Sequence, residues 1–263
     1  MREKWVDAAL AAVRAAGERI RQGIGATKSV RFKGPIDLVT ETDEAVEAAL
    51  RESLGRILPE ADFYGEESAS GALPQQTCWI VDPVDGTTNY AHGLQHVAVS
   101  VALWQGGRPV FGVVYLPVLD ELFWAVAGGG AYLGQTRITV SATGRLEHSL
   151  VATGFPYTVA EQVQAHIQVL GRVLPRCQGI RRLGSAATDL AYVACGRFEG
   201  FYEAGLKPWD VAAGWLLVEE AGGRVTDAAG APFCFEAPWI VATNGRVHAE
   251  LVSLVAGGGS VNA

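Results

Sequence analysis

Two acidic side chains, three positions apart in sequence, follow a short apolar run in the first third of the chain. The run covers residues 79–81, and Asp82 and Asp85 come after it with Pro83 between them. Hard divalent cations such as Mg²⁺ take several oxygen ligands in a fixed arrangement. Pro83 fixes its own φ and restricts the residue before it, so both acids are held on a stiff turn. The pattern therefore predicts a metal site at the end of this run.

A glycine and two hydroxyl side chains, Gly86, Thr87 and Thr88, follow the second aspartate directly. Gly86 lets the backbone pass close to a ligand, and its amide and those of the two threonines can face an anion. Metal carboxylates beside an anion cradle are what hydrolysis of a phosphate ester needs. Asp-Pro and Asp-Gly are also common turn dipeptides, so for the two aspartates alone a plain tight turn is an equal alternative.

Three further segments carry acids that suit the same chemistry, and each has a plainer alternative. Glu66 comes just past a predicted strand end, where ligand sites on sheets often lie, but a solvated acidic turn would look the same. Asp210 precedes an apolar helix in a position that favours an N-cap, and a carboxylate fixed at a helix start is also rigid enough to bind a metal. Asp43 ends the segment TETD at residues 40–43, which likewise offers a helix cap.

The composition is that of an ordinary globular chain with an acidic balance. Of the 263 residues, 49% are hydrophobic and 19% charged, and the formal net charge is −7. The length allows one large domain or two small ones. The negative charge argues against nucleic acid and anionic membranes as partners, since both need basic patches. Bound cations would offset the local charge where a phosphate has to bind among acids.

The cysteines and the hydropathy pattern favour a cytoplasmic location. The four cysteines form no CxxC pair and no zinc-like spacing, which is typical of reduced thiols. The first residues lack the apolar core of a signal peptide. No apolar run approaches the ~20 residues of a membrane span, so we expect no membrane partner.

Helices and strands must position these acids. Apolar residues recur at helical spacing from Trp5 to Ile20 and from Val46 to Ile57, which predicts two helices on one side of a sheet. A glycine-rich stretch at residues 128–134 matches neither nucleotide-binding pattern, and we interpret it as a hairpin turn. Strands are predicted at residues 61–64, 78–81, 96–104, 109–115, 121–127, 150–153, 180–183, 200–203 and 239–243, and further helices at 159–173, 185–195, 210–221 and 247–255.

No proline- or serine-rich linker and no internal repeat divides the chain. We therefore predict a single α/β domain over residues 1–256, with sub-lobes at about 1–140 and 141–256 as the finer division. Residues 257–263 are predicted to be a flexible tail.

The nine residues 82–90, DPVDGTTNY, resemble the signature of the inositol monophosphatase family. The other three acidic segments resemble family segments in matching order, and the similarity covers essentially the whole chain. This resemblance implies a layered α/β fold in which helices and sheets alternate as an αβαβα sandwich. It further implies a homodimeric, Mg²⁺-dependent and lithium-sensitive phosphatase that hydrolyses inositol monophosphate.

The same resemblance assigns roles to particular residues. It implies two or three Mg²⁺ ions per site, and a water positioned by catalytic residues Thr87, Asp43 and Glu66. Glu203 resembles the family glutamate that accepts hydrogen bonds from polyol hydroxyls, and residues 153–157 resemble a pocket loop of bacterial members. The implied metal ligands are Glu66, Asp82, Asp85, Asp210 and the carbonyl of Val84, and the implied substrate contacts are Asp85, Gly86, Thr87, Thr88, Gly184, Ser185, Ala186, Glu203 and Asp210.

Other substrates and another class of function stay open. Relatives on this fold hydrolyse fructose 1,6-bisphosphate, histidinol phosphate or 3′-phosphoadenosine 5′-phosphate. Residues 88–90, TNY, resemble the inositol group more than the nucleotide group, where lysine usually follows. Some bacterial members also bind transcription machinery, so a regulatory protein-binding role is the non-enzymatic alternative, although the intact acidic set argues against a loss of catalysis.

Overall fold

The computed structural model describes residues 4–26, 30–32, 38–71, 76–156 and 159–257. None of the helices in these ranges is long and apolar enough to cross a membrane. The helices are α1 (Lys4–Gly23), α2 (Glu41–Ile57), α3 (Thr87–Ala91), α4 (Val159–Val173), α5 (Ala186–Ala194), α6 (Pro208–Glu220) and α7 (His248–Ala256).

The strands form two large sheets and one small pair. Their bounds are β1 (Val30–Phe32), β2 (Leu38–Thr40), β3 (Asp62–Gly65), β4 (Cys78–Asp85), β5 (Ala98–Gln105), β6 (Arg108–Leu116), β7 (Glu121–Val126), β8 (Gly130–Leu133), β9 (Thr136–Ile138), β10 (Leu150–Thr153), β11 (Gly179–Arg181), β12 (Gly200–Ala204), β13 (Arg224–Thr226) and β14 (Trp239–Thr243). A seven-stranded sheet runs in chain order from β3 to β9, and a five-stranded sheet has the order β11-β10-β12-β14-β13. Strands β1 and β2 pair separately.

Alternation along the strands separates the two faces of the seven-stranded sheet. Trp79 and Val81 of β4 pack in one cluster with α1 and α2, whereas Cys78 and Ile80 pack on the opposite face with α5 and α6. This division follows from the two-residue period of a strand, which sends successive side chains to opposite faces. Each face of β4 is therefore covered by a pair of helices.

Helices α5 and α6 lie between the two sheets. Their core cluster includes Phe201 and Ala242 from the five-stranded sheet, and the other face of that sheet packs through Tyr202 and Val241 with α4 and α7. The order of layers is thus α1/α2, seven strands, α5/α6, five strands, α4/α7. This arrangement confirms the predicted αβαβα sandwich.

A helix between two sheets must be apolar on all sides and must lie close to both. All nine residues of α5 are buried. A Cβ added at Gly112 in β6 would lie 2.8 Å from the backbone oxygen of Ala213 in α6, so glycine permits the short distance between this strand and this helix.

Most predicted elements are present, with shifted ends. The strand predicted at residues 78–81 continues to Asp85, and the predicted hairpin turn at 128–134 contains β8 as well as the turn. The predicted strand at 180–183 is Gly179–Arg181, because the chain turns away toward α5 after residue 181. Residues 258–263 of the predicted tail lie outside the described ranges, and the single-domain assignment stays a prediction.

Candidate active site

The end of β4 carries the two signature aspartates on an irregular stretch of strand. Asp82 is paired with Ser100 and Asp85 with Ala98, so two residues on β4 and one on β5 lie between these pairs. Such bulges re-aim side chains beside functional sites. The amide of Val84 donates a hydrogen bond to Oδ1 of Asp82 at 3.0 Å, which fixes the first carboxylate on this irregular strand end, where the sequence predicted a turn.

Gly86 connects this strand to α3 in a conformation that favours glycine. Its φ is 93°, and a Cβ there would lie 2.9 Å from the carbonyl oxygen of His96 and 3.1 Å from that of Gly184. Glycine therefore permits the backbone to lie close to these two carbonyls, while the predicted approach to a ligand stays a prediction. Asn89 strengthens the junction, since its Nδ2 donates to the carbonyls of His96 and Leu183, each at 2.7 Å.

Thr87 and Asp43 meet although they belong to different helices. The Thr87 hydroxyl lies 3.0 Å from Oδ1 of Asp43 and 3.0 Å from the carbonyl oxygen of Val84. The amide of Thr40 donates to the other oxygen of Asp43 at 2.9 Å, as part of a capping box at the start of α2. The predicted cap is confirmed, and the same carboxylate also holds the Thr87 hydroxyl.

Asp85 is bound by the start of α5, about one hundred residues later in the chain. The hydroxyl of Ser185 donates to Oδ2 of Asp85 at 2.5 Å, and the amide of Ala187 donates to the same oxygen at 2.8 Å. Positive charge at a helix start favours a carboxylate there. The start of α5 thereby fixes the Asp85 carboxylate.

Asp210 caps α6 in a different way from the prediction. The sequence pattern placed Asp210 at the N-cap, but the helix begins at Pro208, so Lys207 is the N-cap residue and Asp210 occupies the third helical position. Proline suits the first helical turn because its missing amide has no partner there. The carboxylate reaches back to accept the amide of Lys207 at 2.6 Å, which holds it rigidly at the helix start.

Glu66 directly follows β3, which pairs in parallel with β4. Its amide donates to the carbonyl of Val81 at 3.0 Å, and the residue is half-buried. Glu47 supports this turn from α2: its carboxylate accepts the amide of Glu67 at 2.8 Å, and a Cβ at Gly65 would lie 2.4 Å from it. Glu66 is thus held in a packed turn and lines a cavity, which argues against the solvated-turn alternative.

These segments border one cavity of about 620 Å³. Asp82 and Thr87 are 2% and 5% exposed and are not among the residues that line the cavity. Loop residues Gly154, Phe155 and Pro156 line it as predicted, and Tyr157 lies outside the described residues. The predicted site residues that do line the cavity are Glu66, Asp85, Gly86, Thr88, Gly184, Ser185, Ala186, Glu203 and Asp210.

The carboxylates at one end of the cavity act on one another. Burial, followed by the charges of Glu66 and Asp85, raises the pKa of Asp82 well above its usual value. Burial raises the pKa of Asp85 to about 6, against the lowering effect of the hydrogen bond from Ser185. Burial and the charge of Glu66 also raise the pKa of Asp210. Negative charge at this end is therefore unfavourable without a cation.

The donor set fits a hard divalent cation, because it consists of carboxylate and carbonyl oxygens. In the part of the chain that the structure describes, no three acidic, histidine or cysteine side chains stand close enough to enclose a metal ion. A bound cation would remove the mutual repulsion of these carboxylates.

Comparisons with known proteins identify the family of this chain. The family model described as "Inositol monophosphatase family" matches residues 1–257. The chain belongs to the inositol monophosphatase family. Inositol monophosphatase 2 of Solanum lycopersicum is 43% identical over 258 residues, which cover 95% of this chain and 97% of that protein. The Nus factor SuhB of Escherichia coli strain K12 is 42% identical, with 91% of each chain covered.

A solved relative has the same fold over its whole length. The extragenic suppressor protein suhB from Bartonella henselae superposes with a TM-score of 0.91 at 40% identity, covering 97% of this chain and 99% of that chain. Inositol monophosphatases depend on metal ions, which agrees with the buried, mutually repelling carboxylates at the end of β4 in this family member.

Several cavity residues of this inositol monophosphatase homologue escaped the sequence reasoning. Arg182, Asp189 and Lys207 line the cavity, and Asn89 joins α3 to the loop before α5. One signal was available for Asp189: it lies four positions after Ser185, on the same face of a predicted helix. A charged residue in an otherwise apolar helix also indicates a polar partner or ligand.

Proposed function

We propose that this chain hydrolyses myo-inositol monophosphate to inositol and phosphate with water activated by Mg²⁺. As a member of its family, it is a phosphoric monoester hydrolase. The observation that carries the proposal is one cavity that brings mutually repelling buried carboxylates together with the buried Glu203. The repelling carboxylates suit a metal-bound phosphate, and Glu203 suits a hydroxylated ring.

The proposed metal ligands are Glu66, Asp82, Asp85, Asp210 and the carbonyl of Val84, for two or three Mg²⁺ ions. When bound, the metal supplies a lowered pKa for the attacking water and neutralises charge on the phosphate and on the leaving oxygen. The Asx-type hydrogen bond from the Val84 amide at 3.0 Å supports the role of Asp82, because it orients the carboxylate.

Thr87 would position the attacking water. Its hydroxyl carries one proton and lies 3.0 Å from two acceptors, Oδ1 of Asp43 and the carbonyl of Val84. Once that proton is donated, the hydroxyl oxygen can accept a hydrogen bond from a water molecule. Glu66, the third proposed catalytic residue, lines the cavity and can take one proton from that water as it attacks the phosphate.

The phosphate would lie over the start of α3. The amides of Gly86, Thr87 and Thr88 would donate to its non-bridging oxygens, as backbone amides in a turn do for anions. Gly86 and Thr88 line the cavity, which supports this placement. In-line attack would then carry the leaving alcohol toward Ser185, Ala186 and Glu203, which line the cavity as well.

A relative named inositol monophosphatase 2, which this chain matches over 97% of its length, supports the choice of substrate. Fructose 1,6-bisphosphate, histidinol phosphate and 3′-phosphoadenosine 5′-phosphate are the alternative substrates on this fold. A regulatory role is a second candidate, because another relative is named a Nus factor. Lithium sensitivity, a homodimeric state, a cytoplasmic location and the lack of nucleic-acid partners stay predictions from the sequence.

Phosphate release with Mg²⁺ tests the proposal directly. Inositol 1-phosphate should give the highest kcat/KM in a panel with the three alternative substrates. Asp82→Asn keeps the side-chain shape and should show almost no turnover at any Mg²⁺ concentration. Higher kcat/KM for one of the alternatives would reassign the substrate, and normal Mg²⁺ activation of Asp82→Asn would overturn the metal site.

A further inference from the structure

The cavity contains a second pair of acids away from the proposed metal ligands. Asp189 of α5 and Glu203 of β12 both line it, and they are 1% and 7% exposed. Burial and neighbouring acids raise the pKa of both carboxyl groups, and the positive charge of Arg182, which also lines the cavity, opposes these shifts. Two carboxyl groups and one guanidinium group therefore share this part of the cavity.

The packing of α5 does not explain Asp189. Within the described residues, its Oδ1 is buried and has no hydrogen-bond partner. Its neighbour Thr188, by contrast, is bonded to Ser185 through both its hydroxyl and its amide. A buried polar atom normally has a partner, and leaving it without one costs about 1–3 kcal/mol. A hydroxyl group of a ligand in the adjoining cavity would satisfy this carboxyl group.

The position of Asp189 on its helix directs it to the substrate. It lies one turn after Ser185, whose hydroxyl binds the proposed metal ligand Asp85 at 2.5 Å, so it shares a helix face with the phosphate end of the site. Gly154 gives Glu203 room in the same cavity, since a Cβ at Gly154 would lie 2.2 Å from both of its carboxylate oxygens. A ring in this cavity would therefore meet both carboxyl groups.

We propose that Asp189 is a specificity-determining residue that accepts a hydrogen bond from one ring hydroxyl of a phosphorylated cyclic polyol while Glu203 accepts one from another. This role rests on the proposed function, because the phosphate must lie at the carboxylate end. It adds a second hydroxyl contact and restricts good substrates to those with at least two free hydroxyl groups. Phenyl phosphate, which has none, gains nothing from either residue.

The test compares substrates in three proteins. For the wild type, Asp189→Asn and Glu199→Gln, kcat/KM is measured with Mg²⁺ on inositol 1-phosphate and on phenyl phosphate. Glu199→Gln is the matched control, because Glu199 is buried and its carboxylate accepts the amide of Leu150 at 2.7 Å away from the cavity lining. Calorimetric binding of myo-inositol to each Mg²⁺-loaded protein gives a readout without turnover.

Asp189→Asn should lower kcat/KM for inositol 1-phosphate by roughly ten-fold or more and for phenyl phosphate by less than about two-fold, and it should weaken myo-inositol binding. The control should leave the ratio of the two substrates unchanged. Equal losses of Asp189→Asn on both substrates would overturn the role of Asp189 and leave the proposed function intact. A wild type with no preference for inositol 1-phosphate would overturn the proposed function itself, and the hydroxyl contacts with it.

Discussion

Replacing Glu203 by glutamine should make the metal-free protein more stable at neutral pH while impairing its use of a polyol substrate. Burial, followed by the charge of Asp85, raises the pKa of the Glu203 carboxyl group from 4.5 to about 8, although Arg182 opposes the shift. Because the folded-state pKa lies above the unfolded value, the contribution of Glu203 to the free energy of unfolding is fully present below pH 4.5. This contribution is lost as the pH rises through 8. Glutamine does not titrate, so the variant avoids this loss.

The size of the effect follows from the interval between pH 4.5 and pH 7. The unfolded chain releases the proton across this range while the folded protein keeps it, and each pH unit costs 1.36 kcal/mol. The wild type therefore loses about 3 kcal/mol by pH 7 that Glu203→Gln retains. For a chain of this length, that difference corresponds to a rise in Tm of roughly 6–12 °C in the variant.

Differential scanning calorimetry in EDTA at pH 5 and pH 7.5 measures the difference, and EDTA removes the contribution of bound metal. The gain in Tm should be small at pH 5 and large at pH 7.5. A gain of equal size at both values, or a less stable variant at pH 7.5, would refute the reasoning. In the same variant with Mg²⁺, kcat/KM should fall more for inositol 1-phosphate than for glycerol 2-phosphate, because the substitution alters the hydrogen bond proposed between Glu203 and a ring hydroxyl, worth roughly 0.5–1.5 kcal/mol.

Three other changes separate metal binding, water positioning and support of the site. Asp82→Asn should raise the Tm in EDTA, since it removes one buried charge from a set of repelling carboxylates. It should also abolish the further rise in Tm that Mg²⁺ gives the wild type. If Mg²⁺ still raises the Tm of the variant, Asp82 is not a metal ligand. Thr87→Ala should lower kcat while Mg²⁺ affinity stays nearly normal, and a raised KM with constant kcat would instead indicate substrate binding. Glu47→Gln should weaken Mg²⁺ affinity measured by calorimetry, because the Glu47 carboxylate accepts the amide of Glu67 at 2.8 Å, next to Glu66. Unchanged affinity would show that the conformation of this turn does not depend on Glu47.

Local chemistry in the sequence was enough to predict much of the site. Apolar spacing predicted helices such as Val159–Val173 and strands such as Trp239–Thr243 with the observed bounds. The capping segment before α2 was predicted from side-chain oxygens alone, and the structure has Thr40 and Asp43 in a capping box. These features depend on neighbours within a few residues, where helix period, strand period and turn chemistry act.

Short strands and helix ends were harder to predict, because packing decides them. β1, β8, β9 and β13 have three or four residues each, too few for a period to show, and they exist because a neighbouring strand pairs with them. The N-terminal end of α6 was placed two residues late, since the sequence does not reveal that Pro208 starts the helix and leaves Asp210 to reach back. A local pattern allows both starts, and tertiary contacts select one.

The sequence by itself determined which acids stand on stiff turns and helix starts, and their resemblance to a known signature determined the family. Only the tertiary structure decided that Asp85 receives the hydroxyl of Ser185 at 2.5 Å, or that Asp189 and Glu203 line one cavity. These contacts join residues that belong to different layers of the sandwich. Local propensities cannot predict these contacts between layers. The contacts depend on how the helices pack between the two sheets, and the packing of the whole core sets the distance between those sheets.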